Sequence, residues 1–297
     1  MSAPRESAAR AVSMSVIPQI LALIAFRVNR LIRYNGTMNV LDEILETKWV
    51  EVETKKAMRP LKTLKNEAAD FKPERRPFRA LFEKGPVLIA EIKPRSPSAG
   101  ELISDSPLAI ADLYAKSNAD VISVLTDAKY FGGSNDLLKA VRARVPQTVL
   151  RKDFIVDEYQ VYETFLLPAD AYLLITSLLS ESALANLIKL GASLGLDALV
   201  EVHDEKDIQK AIRAGARIIG INNRDLATFN TDISVTERLM KNMPANTFIV
   251  SESGIITSKD VERMRKCGIG GILVGTSVLQ SADPIQKINE LKQALYV

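Results

Sequence analysis

The chain has 297 residues, 47% hydrophobic and 25% charged, with 14 Gly and 13 Pro; these are ordinary globular proportions and exclude a disordered tail, a collagen-like repeat and a multi-span membrane protein. One cysteine, Cys267, excludes an internal disulfide framework and cysteine-rich metal sites, and one histidine, His203, excludes multi-histidine metal centres and would have to serve alone in any Ser–His–Asp triad. The net charge of +3 resides in residues 1–37, which carry five arginines and one acid; the rest of the chain holds 34 basic and 35 acidic side chains, without the basic excess of a nucleic-acid footprint.

Residues 14–26, MSVIPQILALIAF, form a mostly apolar run between Arg10 and Arg27. The run is short of the ~20 residues of a membrane-spanning helix. It has the length of a signal h-region, yet Arg27-Val28-Asn29-Arg30 follows instead of a small-residue cleavage site. Three readings stand open for residues 1–37: an extension or upstream start, an organellar targeting leader, and an amphipathic surface or partner helix. Asn35-Gly36-Thr37 reads as a turn, so the organisation expected is an extension over 1–37 and one domain over 38–297. Within that domain, residues 38–58 have the spacing of an amphipathic helix, with Leu41, Ile44, Leu45 and Trp49 on one side and Asn39 or Asp42 as N-cap. A second short helix follows Pro77, and helices over 38–85 are expected to pack on what comes next.

From residue 86 short apolar runs alternate with longer, charge-mixed stretches. Strands are predicted at 87–92, 121–125, 148–151, 171–175, 198–202, 217–221, 247–250 and 271–274, and helices at 107–117, 135–144, 157–166, 181–194, 204–214, 234–242, 258–267 and 284–295. Runs that are apolar throughout suit strands buried on both faces, as in parallel sheets. Eight strand–helix units in series predict an α/β protein, a closed (β/α)8 TIM barrel with an N-terminal helical extension. An open doubly wound sheet would need a glycine-rich turn after the first strand, where Lys93-Pro94-Arg95-Ser96-Pro97 stands; the one glycine cluster, at 268–271, precedes a strand.

In such barrels the chemistry sits at the C-terminal ends of the strands. There the sequence places Glu91 and Lys93, then Thr126-Asp127, Arg151-Lys152-Asp153, Glu201, Asn222-Asn223-Arg224-Asp225, Glu252-Ser253-Gly254 and Gly275-Thr276-Ser277. Ionisable groups in apolar strands are costly to bury unpaired, so Glu91, Lys93, Lys152 and Glu201 are candidate catalysts. Each has a plainer reading: a structural Glu91–Lys93 ion pair, a solvated rim charge at Lys152, a loop cap at Glu201. His203 reads as a surface or cap residue and Cys267 as a small helix residue. The Ser/Gly/Thr segments after strands seven and eight suit a phosphate, or simply N-caps.

The motifs AEIKPRSPSAG (90–100), VLTDAKYFGGS (124–134), LRKDFIVDEYQ (150–160), LVEVHDE (199–205), GINNRDL (220–226), SESGI (251–255) and LVGTSVL (273–279) closely resemble the indole-3-glycerol-phosphate synthases of tryptophan biosynthesis, in the family's order, over residues 38–297. The resemblance implies a phosphate-binding barrel that acts as a carboxy-lyase. Its substrate would be 1-(2-carboxyphenylamino)-1-deoxyribulose 5-phosphate and its products indole-3-glycerol phosphate, CO2 and water, with no cofactor and no metal. By motif it implies catalytic roles for Glu91, Lys93, Lys152, Glu201, Asn222 and Ser253. Phosphate contacts would fall on Ser96, Gly254, Gly275 and Thr276, a rim arginine on Arg224, and aromatic neighbours of the substrate ring on Phe131 and Phe154. It further implies a cytoplasmic enzyme with a phosphorylated small molecule as its partner, no nucleic acid and no stable membrane span, and it admits association with other tryptophan-pathway enzymes. Ala99, where many members carry Lys, and Thr276, where Ser or Glu is common, depart from the pattern at the phosphate end. Rival readings are a related isomerase or Schiff-base aldolase acting through Lys93 or Lys152, and an inert barrel serving as a scaffold.

Overall fold

In a computed structural model, residues 40–96, 100–101, 106–225, 228 and 230–296 are described. The apolar run at 14–26 and the turn at 35–37 lie outside them. The chain divides into two compact units that meet between Phe71 and Lys72. The first contains α1 (Val40–Met58) and α2 (Leu61–Asp70). Asp42 lies inside the first turn of α1 rather than at its cap, and the buried stripe is Ile44, Lys48 and Val52, with Leu41, Leu45 and Trp49 half-buried. Helix α2 follows Pro60, whose fixed φ suits a helix start; the sequence patterning did not resolve it from its neighbours.

The second unit opens with the short helix α3 (Arg79–Lys84), just after Pro77 as the sequence predicts, and continues with β1 (Val87–Ile92). A two-stranded antiparallel hairpin, β2 (Arg95–Ser96) with β3 (Gly100–Glu101), follows in the loop after β1; no periodicity marks so short an element. Then come α4 (Pro107–Tyr114), β4 (Val121–Leu125), α5 (Asn135–Arg142), β5 (Thr148–Lys152), α6 (Glu158–Leu166), β6 (Ala171–Ile175), α7 (Glu181–Ser193) and β7 (Asp197–Val202). The chain ends through α8 (Glu205–Arg213), β8 (Ile218–Asn222), α9 (Ser234–Met240), β9 (Phe248–Glu252), α10 (Ser258–Lys266), β10 (Gly271–Val274), α11 (Thr276–Leu279) and α12 (Pro284–Ala294).

The eight long strands pair in parallel in the order β1-β10-β9-β8-β7-β6-β5-β4 and close on themselves, because β1 pairs with both β10 and β4. This is the (β/α)8 barrel that the eight apolar runs predict. The strands are buried on both faces, inward against the barrel interior and outward against the helices. Side-chain caps fix where the helices begin: Ser134, Asp157, Ser180, Asp204, Thr257 and Asp283 each accept from a backbone N–H in the first turn of the helix that follows, worth about 1 kcal/mol apiece. Three strands run further than their apolar residues suggest, β5 to Lys152, β8 to Asn222 and β9 to Glu252. Their ladders continue as Leu125 with Lys152 and Asn222 with Glu252. A strand is a backbone pattern, and here only the side-chain polarity changes, at the end where the barrel opens.

At the opposite, N-terminal end of the barrel, residues 72–78 are tied down by two arginines. Arg76 donates to the carbonyls of Val145 (2.7 Å) and Gln147 (2.5 Å), Arg75 to that of Phe165 (2.6 Å), and Asp170 accepts from the backbone N–H of Arg76 and of Val149. No helix among the described residues is long and apolar enough to cross a membrane.

Candidate active site

Successive side chains on a strand point to opposite faces, and this alternation sorts the polar residues at the strand ends. On β5, Arg151 points outward and is buried against α6. It donates to Thr164 Oγ1 (2.8 Å), Glu163 Oε2 (2.6 Å) and Asp153 Oδ2 (3.1 Å). Its neighbour Lys152 therefore points inward. Glu91 on β1, Glu201 on β7 and Glu252 on β9 point inward too, and all three are buried. Lys152 Nζ lies 3.8 Å from Glu91 Oε2, 3.7 Å from Glu201 Oε2 and 3.8 Å from Glu252 Oε2. One ammonium thus stands almost equidistant from three buried carboxylates. Lys152 is not the solvated rim charge that the plainer reading allowed.

Each carboxylate has a different second environment. Glu91 Oε1 is 2.7 Å from Lys93 Nζ; burial pushes its pKa up, but Lys93 and Lys152 outweigh that and hold it below the usual carboxylate range. Glu201 Oε1 accepts from Asn222 Nδ2 (3.1 Å) and is 3.2 Å from His203 Nε2. Against the cost of burial, Lys152, His203 and Asn222 hold Glu201 well below the ordinary range. Glu252 has neither aid, since both its oxygens are buried and lack a hydrogen-bond partner among the described residues. Burial and the neighbouring Glu201 charge raise its pKa, more than Lys152 lowers it. Lys152 itself is kept charged, because the three carboxylates overcome the desolvation that would otherwise deprotonate it. Two carboxyls are thus pushed apart in proton affinity beside one cation, Glu201 toward its ionised form and Glu252 toward its protonated one.

Two glycines make room for this cluster. A Cβ at Gly220 would stand 1.9 Å from Glu252 Oε1, and one at Gly275 would stand 2.7 Å from Glu91 Oε1. Beyond the strands, Ser253 adopts φ 65°, the one non-glycine residue with positive φ among those described, followed by Gly254 at φ 80°. This turn aims Ser253 Oγ at Asn222 Oδ1, to which it donates at 2.8 Å. The same oxygen accepts from the Arg224 backbone N–H (3.0 Å). Asn222 therefore ties Glu201 to the Ser253 turn and to Arg224. A left-handed conformation at a non-glycine residue stores backbone strain that persists only where the surroundings over-determine it.

These groups line a cavity of about 350 Å3 at the C-terminal mouth of the barrel, of the size that takes a small molecule. The cavity collects Glu91, Lys93, Lys152, Glu201, Asn222 and Ser253, and with them Phe131, Phe154, Arg224, Gly254, Gly275 and Thr276. Phe131 and Phe154 stand with ring centroids 5.9 Å apart and planes inclined by 38° and give the lining an aromatic, apolar part. Ser96 lies in β2, and its side chain is outside what the structure describes. Glu252 also faces this cavity, although sequence reasoning assigned it only to a phosphate loop. An acid at the last inward position of an apolar strand is the same signal that picked out Glu91 and Glu201, but the predicted strand stopped at 250 and hid it. His203, read from sequence as a surface or cap residue, is instead packed against Glu201. No group of three or more His, Cys, Asp and Glu side chains among the described residues is arranged to hold a metal ion.

The architecture is shared with solved proteins of low sequence similarity. A 3-hexulose-6-phosphate synthase from Salmonella typhimurium aligns over 70% of this chain and 98% of its own, with a TM-score of 0.56 at 18% identity, a likeness of fold alone. Closer relatives bear on identity. An indole-3-glycerol phosphate synthase from Thermoanaerobacter sp. (strain X514) is 44% identical over 257 residues, covering 84% of this chain and 96% of the relative. That from Carboxydothermus hydrogenoformans is 50% identical over 204 residues, covering 68% and 77%. The sequence profile of indole-3-glycerol phosphate synthase matches residues 41–291, the span that contains both the closed barrel and every residue of the cavity. The chain belongs to the indole-3-glycerol phosphate synthase family.

Proposed function

We infer that the chain carries out its family's reaction, in which 1-(2-carboxyphenylamino)-1-deoxyribulose 5-phosphate becomes indole-3-glycerol phosphate, CO2 and water. The observation that carries the assignment of roles is the Lys152 ammonium held 3.7–3.8 Å from three buried carboxylates at the mouth of the barrel. Ring closure requires the aromatic carbon bearing the carboxylate to attack the ketone. The ketone oxygen then gains a proton, and CO2 leaves with the bond electrons restoring the aromatic ring. Dehydration next expels the new hydroxyl as water, with one proton supplied to it and one removed from the adjacent methylene.

In this reading Lys152 faces the developing oxyanion as a fixed positive charge, and Lys93 is placed to pair with the substrate carboxylate until CO2 departs. Fixed charges of this kind stabilise a transition state without reorganisation cost. Glu252, which retains its proton, is suited to donate, and Glu201, which is ionised, to accept. Phe131 and Phe154 would flank the anthranilate ring. Ser277 Oγ is buried and without a hydrogen-bond partner among the described residues, and it lines the cavity with Gly254, Gly275 and Thr276, the last two at the start of α11. These groups suit a phosphate, with Arg224 at the rim. Remote phosphate binding would position the reacting carbons.

The alternative Schiff-base chemistry needs a neutral lysine amine, and the carboxylates around Lys152 favour its charged form. Incubating the full chain with the carboxyphenylamino substrate tests the proposal. Indole fluorescence should grow with one CO2 released per turnover and no lysine adduct trapped by borohydride. No fluorescent product, or a trapped lysine, would overturn it.

A further inference from the structure

The one histidine of the chain, His203, is left without a part in the reaction just described, yet its surroundings are those of a working group. It sits two residues beyond Glu201, at the end of β7, with its imidazole between two carboxylates. His203 Nε2 is 3.2 Å from Glu201 Oε1, and His203 Nδ1 is 3.6 Å from Asp207 Oδ2 on the first turn of α8. Asp207 is largely buried. It is held in place because the His203 backbone N–H donates to its Oδ2 (3.2 Å) and its own backbone N–H donates to the capping residue Asp204 (2.8 Å). Both ring contacts lie within ion-pair distance without the alignment of hydrogen bonds.

An imidazole that faces a carboxylate oxygen at each nitrogen can satisfy both only as imidazolium, because the neutral ring turns a lone pair on one of them. The remaining charges nearby do not change that balance. Glu252 on β9 and Lys152 on β5 lie beyond Glu201, Asn222 on β8 is neutral, and Glu205 on α8 is paired with Arg238 on α9 (3.3 Å). The 3-10 turn Thr176–Leu178 packed against α8 has no ionisable side chain. Glu201 is consequently gripped at one oxygen only. Asn222 and His203 hold Oε1, and Oε2 is the oxygen that faces Lys152 and the cavity.

We propose that His203, backed by Asp207, is a positioning residue that keeps Glu201 ionised and turns its Oε2 toward the substrate. The proposal rests on Glu201 being the base of the reaction above. Two consequences follow for the pH dependence of turnover. Loss of the cation at His203 makes Glu201 easier to protonate, so the acid limb of kcat moves to higher pH. Deprotonation of His203 in the intact protein frees Glu201 and contributes to the alkaline limb. The two carboxylates outweigh burial and push the imidazole pKa up to about 10, so through the neutral range the grip stays closed.

Because His203 is the only histidine, the imidazole signals of the full chain in a 13C- or 15N-labelled NMR titration belong to one residue. The midpoint is expected well above the ordinary ~6.5 and is expected to fall in Asp207→Asn. In steady-state kinetics, His203→Leu should lower kcat at least 10-fold with KM changed less than about 3-fold, and should move the acid limb up by ~1 pH unit or more. His203→Gln, which keeps an N–H toward Glu201 but no charge, should recover part of kcat and leave the limb displaced. Should His203→Leu fail to fold, Asp207→Asn carries the same kinetic test. An imidazole titrating near 6.5, or a pH profile of kcat unmoved in these variants while Glu201→Gln is inactive, overturns this inference and leaves the reading of the site intact. A fully active Glu201→Gln overturns both.

Discussion

Replacing Lys152 by methionine keeps the apolar stem and deletes the charge on which the site is centred. At 3.7–3.8 Å from each of Glu91, Glu201 and Glu252, the ammonium interacts with each of the two ionised carboxylates, Glu91 and Glu201, by about 4 kcal/mol at an effective dielectric of about 20, before the cost of burying it is subtracted. The carboxylates do not lose equally. Glu91 keeps Lys93, and Glu201 keeps His203 and Asn222, while Glu252 already favours its proton. The net loss therefore falls in the range for breaking a buried pair, ~3–5 kcal/mol, which lowers Tm by on the order of 10 °C at neutral pH. The sign of the pH dependence follows from Glu201, whose pKa is depressed in the folded protein. Its contribution is present above the unfolded value of ~4.3 and fades as pH falls through the folded one, so the stability gap between wild type and variant should narrow on acidification below that value. Turnover is followed by indole fluorescence and stability by thermal unfolding from pH 3 to 8. We expect kcat to fall by at least ~10²-fold with KM changed less, since the proposed phosphate anchor is remote. A Lys152→Met protein that is destabilised but turns over normally refutes the reasoning, and the electrophilic role would pass to Lys93.

Glu252→Gln removes the proton donor while preserving shape, and kcat should drop at least ~10²-fold. Because the raised pKa of Glu252 gives stability that is fully present below the unfolded ~4.3 and is lost as pH rises through the folded value of about 8, the variant should also lose part of the fall in Tm across that window; an unchanged kcat would remove Glu252 from the mechanism. Gly275→Ala would set a Cβ 2.7 Å from Glu91 Oε1, so kcat and KM should both suffer, and a KM effect alone would mean that Glu91 yields without chemical consequence. Inorganic phosphate should inhibit competitively against the substrate, and purely noncompetitive inhibition would place the phosphate site elsewhere. A chain starting at Met38 should fold and turn over at close to the full-length rate, and its insolubility would show that residues 1–37 are structural.

Much of the protein was legible in one dimension. Apolar runs of four to six residues separated by amphipathic stretches have few ways to bury both faces, and the right-handed strand–helix–strand connection turns eight of them into a barrel. That rule also names the working end, so Glu91, Lys93, Lys152 and Glu201 could be singled out from their place at the ends of strands. Periodicity could not tell Arg151 from Lys152 by role. They are adjacent and both basic, and only the register of β5 turns one to α6 and the other to the cavity. Nor could it find Glu252, because apolarity stops at Val250 while the backbone ladder continues to residue 252. The environment that separates three glutamates was decided by the tertiary structure alone. Lys93 beside Glu91, Asn222 and His203 beside Glu201, and, among the described residues, no hydrogen-bond partner for Glu252 are distinctions made by side chains brought together from four strands and the loops that follow them. Their protonation states depend on distances of a few ångströms between buried groups, where electrostatic energies are large, and barrel closure sets those distances.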